Sequence, residues 1–405
     1  MHVLFYIQHF LRDNQAGGTR PWSLSQELVR RGHKVTVIMA NVHYLEKEDE
    51  SRARYAEEDW EGVRVLKVYA TGNFRASFTR RLMNYLSYAG NAFLAGMKAE
   101  KPDLVLTSIQ PIFTGPVGWL TSFLRRSPFF LEVRDVWPDT AVELGVLTSP
   151  FLIYPSTWLA RFLYKRARQI VTLTPGIAEI IESNGIRAEK IHVLPVGLEE
   201  SVLNPTNMED VRQKHGWQDK FLVLYTGSHA VTDSLETLLS AIDQLKDHSE
   251  IHVVMIGDGD KKPDLIAYAE DRGLKNVTFL DLMPKKELAS YLQAADICTM
   301  CLPKGDFWRI FLQNKFFDYM GSGKPIVASL LGTQKEYIEE AEAGIVVPPE
   351  DDQALAAAIL QLSQSPETVR VMGERAKRFV ISRFLREDLL MEYVDLLEKT
   401  AGVTR

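Results

Sequence analysis

Short apolar runs alternate along the chain with segments whose apolar positions recur at helical spacing. Residues 2–7 read as a strand, 23–31 as a helix and 33–39 as a second strand, with the glycine-bearing loop 8–22 between the first two. Strand, loop, helix, strand is a βαβ unit and implies a parallel sheet. The alternation continues with strands over 63–69, 103–108, 129–133, 169–173 and 191–195, and helices over 111–124, 151–167 and 176–184. Residues 41–62 are polar and charged and read as a long surface loop. Residues 73–98 set Phe74, Phe78, Leu82 and Tyr85 among Arg75, Arg80 and Arg81, the pattern of one or two amphipathic helices with a basic start.

The pattern breaks over 198–215, around Pro205, which reads as a linker, and restarts with a strand at 221–225. A helix at 234–246 follows, with Asp233 or Ser234 as its cap. Then come a strand at 252–259, a helix to residue 272, a strand at 277–280, a turn at 281–284, a helix at 285–294 and a strand at 296–300. The loop 302–310 leads into a helix opening at Asn314 and a strand at 326–329. The repeat runs to Val346-Val347, and helices over 351–365 and 366–398 finish the chain. The expectation is an α/β protein of two doubly wound domains with glycine turns facing a shared crevice, the first over 1–200, the second over 201–380, and a closing segment, 381–405.

Length agrees with two domains, since 405 residues exceed one ordinary core. A net charge of −6 argues against a nucleic-acid partner. The only cysteines, Cys298 and Cys301, fall on an expected buried strand, where positions three apart face opposite ways. Two such ligands make no structural zinc site, and buried thiols in a reducing cytoplasm are expected. Met1–Ile7 has no basic lead, and no run of 18 apolar residues occurs, so neither a secretory signal nor a membrane span is expected. The segment 74–98 is nonetheless a candidate for peripheral contact with the inner face of an anionic membrane, with Arg125-Arg126 as a further basic patch.

Candidate chemistry gathers where strands run into glycine turns and helix starts, because free N–H groups there seat anions. Gly17-Gly18 precede the first helix, and Gly227, Ser228 and His229 follow the first strand of the second half. Asn314 can cap the helix that opens there, which places Lys315 beside its positive end and Asp318 close to the same face. A phosphate seat plus a carboxylate able to accept bonds from vicinal hydroxyls suits a sugar nucleotide. In the first half, Glu132 and Asp135, with Arg134 and Trp137, sit where a strand meets the crevice and are candidates for handling an acceptor hydroxyl.

Six segments, in this order and spacing, resemble family 4 retaining glycosyltransferases of the two-domain GT-B fold: EVRDVWPDTAVELGVL (132–147), TLTPGIAEII (172–181), YTGSHAVTDSLETLL (225–239), VVMIGDGDKKPDL (253–265), VTFLDLMPKKEL (277–288) and NKFFDYMGSGKPIVAS (314–329). They are most similar to the N-acetyl-fucosamine transferase-like branch, which builds bacterial surface polysaccharides. The resemblance implies that the closing helix returns to the N-terminal domain and that Asp318 binds the ribose hydroxyls. It implies that the base lies against Leu282-Met283, that Gly17-Gly18 face the diphosphate and donor sugar, and that no metal or other cofactor is needed. Two departures stand out. The family's first acid, eight residues before the second, falls on Ile310, and the basic pair after the first C-domain strand is missing, with Ser228 at the arginine position. Lys315, with Lys304 or Arg309, is expected to take over the pyrophosphate, and Ile310, Phe311 and Trp308 to line the donor-sugar pocket. The implied activity is transfer from a nucleotide sugar, a UDP-linked N-acetylated sugar, to a saccharide or polyprenyl-linked acceptor. Lys315 and Asp135 would be its catalytic residues, and domain closure would complete the site. The alternative is a GT-B protein that binds a nucleotide sugar or a partner without turnover.

Overall fold

The structure, a computed structural model, describes residues 1–12, 18–42, 54–72, 78–205 and 209–403. It divides into two compact units, one built from the chain up to Pro195 and again from Leu389, the other from Val196–Asp388.

Among the described residues of the first unit, eight strands form one sheet: β1 (His2–Tyr6), β2 (Lys34–Ala40), β3 (Tyr55–Trp60), β4 (Val63–Val68), β5 (Leu104–Ser108), β6 (Phe129–Val133), β7 (Gln169–Thr172) and β8 (Ile191–Val193). Their order is β3-β4-β2-β1-β5-β6-β7-β8. Every pairing is parallel except that of β3 with β4. β1, β5 and β6 are buried at every position, as strands covered on both faces are, so they show as unbroken apolar runs. One face packs on Trp22, Leu24 and Leu28 and on the C-terminal residues Tyr393, Val394 and Leu397. The other packs on Tyr88, Ala92 and Val117. The closing helix, Arg386–Ala401, thus contributes to the core of the unit that holds the N-terminus.

Two expectations shift here. The first helix spans Arg20–Arg30, opening three residues early, because Pro21 fits the first turn of a helix. Tyr55–Trp60 lies within the expected loop 41–62 but is an antiparallel edge strand. It buries neither face fully, so hydrophobic alternation does not mark it; Glu57–Arg64 and Glu58–Lys67 ion pairs, each 2.7 Å, help hold it to β4. The rest of that loop, 43–53, lies outside the described residues. The 73–98 segment holds one helix, Phe78–Lys98, and 73–77 lies outside the described residues.

The second unit holds β9 (Phe221–Thr226), β10 (Ile251–Ile256), β11 (Val277–Leu280), β12 (Ile297–Cys301), β13 (Ile326–Ser329) and β14 (Gly344–Val347), all parallel, in the order β11-β10-β9-β12-β13-β14. The order reverses between β9 and β12, the place where doubly wound sheets open a ligand crevice at their carboxyl ends. Leu238 and Ile242 of one helix and Leu355 and Ile359 of another fill one face. Cys298 and Cys301 are both buried on β12, and burial pushes both thiols up, Cys301 to about 12.

The expected boundaries at 200/201 and 380/381 move to Pro195/Val196 and Asp388/Leu389. Backbone pairing explains the move: the Leu198 N–H donates to the Phe384 carbonyl at 2.7 Å, and the Arg386 N–H to the Leu198 carbonyl at 2.9 Å. Both crossing segments are therefore stitched together inside the second unit. The extended residue Leu385 separates Pro366–Phe384 from Arg386–Ala401, which breaks the helix expected over 366–398. The expected linker 198–215 carries two short helices, Glu200–Leu203 and Val211–His215.

Candidate functional site

The order reversal places the end of β9 beside the helix Asn314–Gly321, and a buried ion pair joins them. Lys315 is only 9% exposed. Its Nζ lies 2.6 Å from Asp233 Oδ1 and donates to the Tyr225 hydroxyl at 2.9 Å, 4.2 Å above the centre of the Tyr225 ring. Asp233 also accepts from Gln313 Nε2 at 3.1 Å, and the Tyr225 hydroxyl donates to the Ser228 carbonyl at 2.5 Å. A Cβ at Gly227 would stand 3.1 Å from Lys315 Nζ, so the ammonium rests against the glycine turn. The cation is where its position beside the helix start suggested, but it carries a built-in counter-charge. Asp233 does not cap the next helix, and neither does the Ser234 side chain; Ser234 is left-handed (φ 42°), and the Asp233 carboxylate turns to Lys315. Asn314 is likewise not the cap: it is the exposed first helical residue, preceded by Gln313, whose amide goes to Asp233.

Two glycine turns pack back to back at this edge. Gly257 has φ 148°, and a Cβ there would meet the Gly227 carbonyl oxygen at 1.8 Å. Between them lies His229, fully buried, with both ring nitrogens lacking a partner among the described residues. Burial, then the charges of Lys262 and Lys315, lower it to about 4, so the ring is neutral at pH 7. Lys262 Nζ bonds the Gly257 carbonyl at 2.9 Å, the Leu280 carbonyl at 3.0 Å and Asp281 at 2.8 Å, tying the ends of β10 and β11 together. Ser228 is exposed at the tip of its turn.

Asp318, one helical turn beyond Lys315, is 8% exposed and lies 3.5 Å from Lys285 Nζ. Lys285 also pairs with Glu199 at 2.9 Å, and Glu199 with Arg386. Burial pushes Asp318 above the usual carboxylate range; Lys285 opposes that and Glu199 adds to it. Lys285 opens the helix that follows the turn holding exposed Leu282 and half-buried Met283. It thereby links that turn to Asp318. Lys304 and Arg309 instead meet Glu350 and Asp306, at 3.5 and 3.4 Å on the surface. Ile310 ends a one-turn helix, half-buried, next to the mutually packed rings of Phe307, Trp308 and Phe311.

In the first unit, Arg134, Asp135 and Trp137 follow β6, all half-buried. Asp135 accepts from Gln110 Nε2 at 2.5 Å. Burial raises its carboxyl, with Arg134 and Gln110 opposing. The Trp137 indole N–H is buried without a partner among the described residues. Glu132 differs from the expectation: its carboxylate is buried against Arg20 at 2.8 Å, which fixes it as a structural ion pair rather than a group facing an acceptor. Gly18 is half-buried just before helix Arg20–Arg30, and Gly17 lies outside the described residues.

Asp233, Tyr225, Lys285 and Glu199 are the partners that sequence reasoning missed. Each is remote in sequence from the residue it serves, and only Asp233 carried a local signal, as a helix cap.

Comparison with known proteins agrees with the two-unit fold. Residues 16–197 match the glycosyl transferase 4-like domain and residues 220–365 the glycosyl transferases group 1 domain. The Escherichia coli K12 glycosyl transferase WcaI, assigned by name to colanic acid biosynthesis, is 24% identical over 98% of this chain and 99% of its own length. Sucrose-phosphate synthase from Thermosynechococcus elongatus superposes with a TM-score of 0.79 at 18% identity, each chain covered in full. HepE from Anabaena, solved with UDP and glucose, gives 0.73 at 17% identity, over 98% of this chain and 99% of that one. At these identities the structural likeness is one of fold.

Proposed function

We propose that this chain, a glycosyltransferase of the GT-B fold, transfers a UDP-linked N-acetylated sugar with retention to a saccharide or lipid-linked acceptor in surface polysaccharide synthesis. The observation that carries the reading is the Lys315–Asp233–Tyr225 cluster against the Gly227 turn, at the carboxyl end of a doubly wound sheet. HepE, which shares the fold, was solved with UDP and glucose, and this supports UDP as the nucleotide. The diphosphate lies against Gly227 and the start of helix Asn314–Gly321, with Lys315 as its cation. Asp233 and Tyr225 hold the ammonium in place, so its geometry is set before the donor arrives. Asp318 accepts from the ribose hydroxyls, and the base rests on Leu282-Met283. As the bond from the anomeric carbon to the diphosphate breaks, the electron pair goes to a phosphate oxygen, and Lys315 stabilises that charge. The acceptor oxygen bonds the same carbon from the same face, and Asp135 contacts the acceptor hydroxyl, its raised carboxyl suiting it as a proton acceptor.

The test is UDP release from a panel of UDP-N-acetylhexosamines with saccharide and polyprenyl-linked acceptors. Lys315→Ala is expected to lower the turnover of the folded protein about 100-fold or more, beyond any loss of stability. Ile310, where the family carries an acid, favours a second reading, a nucleotide-sugar-binding protein without turnover. UDP binding with no release from any donor would select it.

A further inference from the structure

Four charged side chains from four separate segments form one row inside the second unit. Asp318 Oδ1 lies 3.5 Å from Lys285 Nζ, Lys285 Nζ lies 2.9 Å from Glu199 Oε1, and Glu199 pairs in turn with Arg386. None of the four side chains is more than 19% exposed. Arg386 is anchored at the far end: its Nε donates to the Val196 carbonyl at 3.0 Å and its Nη2 to the Gly197 carbonyl at 3.2 Å. Two acids and two bases leave the row neutral.

Lys285 stands there against local preference. It is the first residue of helix Lys285–Ala294, and a cation is disfavoured at the positive end of a helix. Two carboxylates compensate, and its ammonium is divided between them. Asp318 cannot relieve itself by moving, because its helix is wedged against both crossing segments. A Cβ at Gly321 would meet the Leu198 side chain at 2.3 Å, and the Phe317 ring packs edge-on against Phe384 at 5.6 Å. What remains adjustable is the charge of the carboxyl. Burial and then Glu199 favour its neutral form, while Lys285, with Arg386 behind it, opposes them. Of the other groups near it, Lys315 is committed to Asp233, and burial holds Tyr319 and Cys298 neutral.

We propose that Lys285 is a positioning residue for the nucleoside: it holds the Asp318 carboxylate charged through Oδ1 and leaves Oδ2 to the ribose hydroxyls, while Glu199, gripped by Arg386, sets how much of the ammonium Asp318 receives. Lys285 has this role only if Asp318 is the ribose acceptor, as proposed above. A carboxylate accepts from two hydroxyls with charge-assisted bonds, whereas a protonated acid gives up part of that capacity. Without Lys285 two buried carboxylates would face each other with Arg386 alone between them and the row one charge short. The Asp318 carboxyl would then rise further and lose its charge as pH falls through the new value.

UDP affinity by calorimetry between about pH 6 and about pH 8.5 tests this, with each variant compared to wild type at the same pH so that the titration of UDP itself cancels. Lys285→Met should weaken binding about tenfold or more at the acid end and about threefold or less at the alkaline end, since each unit below its own value costs a carboxyl about tenfold in ionised form. Adding Glu199→Gln removes the second carboxylate and should flatten that slope, recovering most of the affinity at the acid end. Lys285→Gln carries the same expectation as Lys285→Met and serves where the methionine variant does not fold. Asp318→Asn should bind UDP weakly by the same factor at every pH. If Asp318→Asn binds UDP as wild type does, the ribose reading itself fails. If Asp318→Asn weakens binding but the Lys285 variants match wild type or lose the same factor at every pH, the ribose reading stands and the role of Lys285 is overturned. A slope that persists after Glu199→Gln is added overturns the part given to Glu199.

Discussion

Lys315 is nearly fully buried, and its ammonium is tolerable there because Asp233 stands 2.6 Å away. Removing one member of such a pair leaves the other charge buried alone, so Asp233→Ala should cost about 3–5 kcal/mol of stability in urea denaturation. Replacing both, Asp233→Leu with Lys315→Met, should recover most of that loss, and the cycle isolates the coupling. His229 supplies a pH signature. Its ring is held near 4 in the folded protein against 6.5 when exposed. Between those values the unfolded chain binds the extra proton, so stability falls as pH drops from about 6.5 to about 4, by at most about 3 kcal/mol. His229→Asn should flatten that part of the melting-temperature profile relative to wild type. The raised carboxyls of Asp318 and Asp135 act in the opposite sense and are common to both proteins. Lys315 and Asp318 were legible in the sequence because both sit within a turn of a helix start that follows a loop. Tyr225 and Asp233 were not, because they lie 90 and 82 residues from Lys315 and only the parallel sheet brings them to it.

At the scale of elements, the strands buried on both faces were read from their unbroken apolar runs, and β9, β10 and β12 fall where those runs predict. What escaped was the edge. β3 has no fully buried face, and its charges, which suggested a loop, are its cross-strand partners. Helix caps were also misassigned, since Asp233 and Asn314 look like caps locally but tertiary partners claim or bypass them. The two glycine turns lock together by backbone contact, as the Gly257 approach to Gly227 shows. Gly257→Ala should therefore move the Gly227 turn away from Lys315. The expected outcome is a loss of about 1–3 kcal/mol in stability together with weaker UDP affinity by calorimetry.

At the scale of the molecule, the repeat of strand and helix made two doubly wound units legible, and the six motifs made the GT-B assignment legible. The crossing segments were displaced by several residues because their pairing, Leu198 with Leu385 and its neighbours, joins positions almost 190 apart. The first unit depends on the far end of the chain: Leu397 is fully buried in its core. Leu397→Ala should cost about 2–5 kcal/mol, read as an earlier unfolding transition.

The central claim is that the second unit binds a uridine diphosphate through Lys315 and Asp318. Thermal shift of the full chain with UDP, GDP, ADP and TDP tests it most directly, since a ligand that binds only the folded form raises the melting temperature. The account predicts a rise with UDP beyond that with the other three, lost in Asp318→Ala and in Lys315→Ala. No rise with UDP, an equal rise with all four, or a rise that survives both substitutions would contradict it.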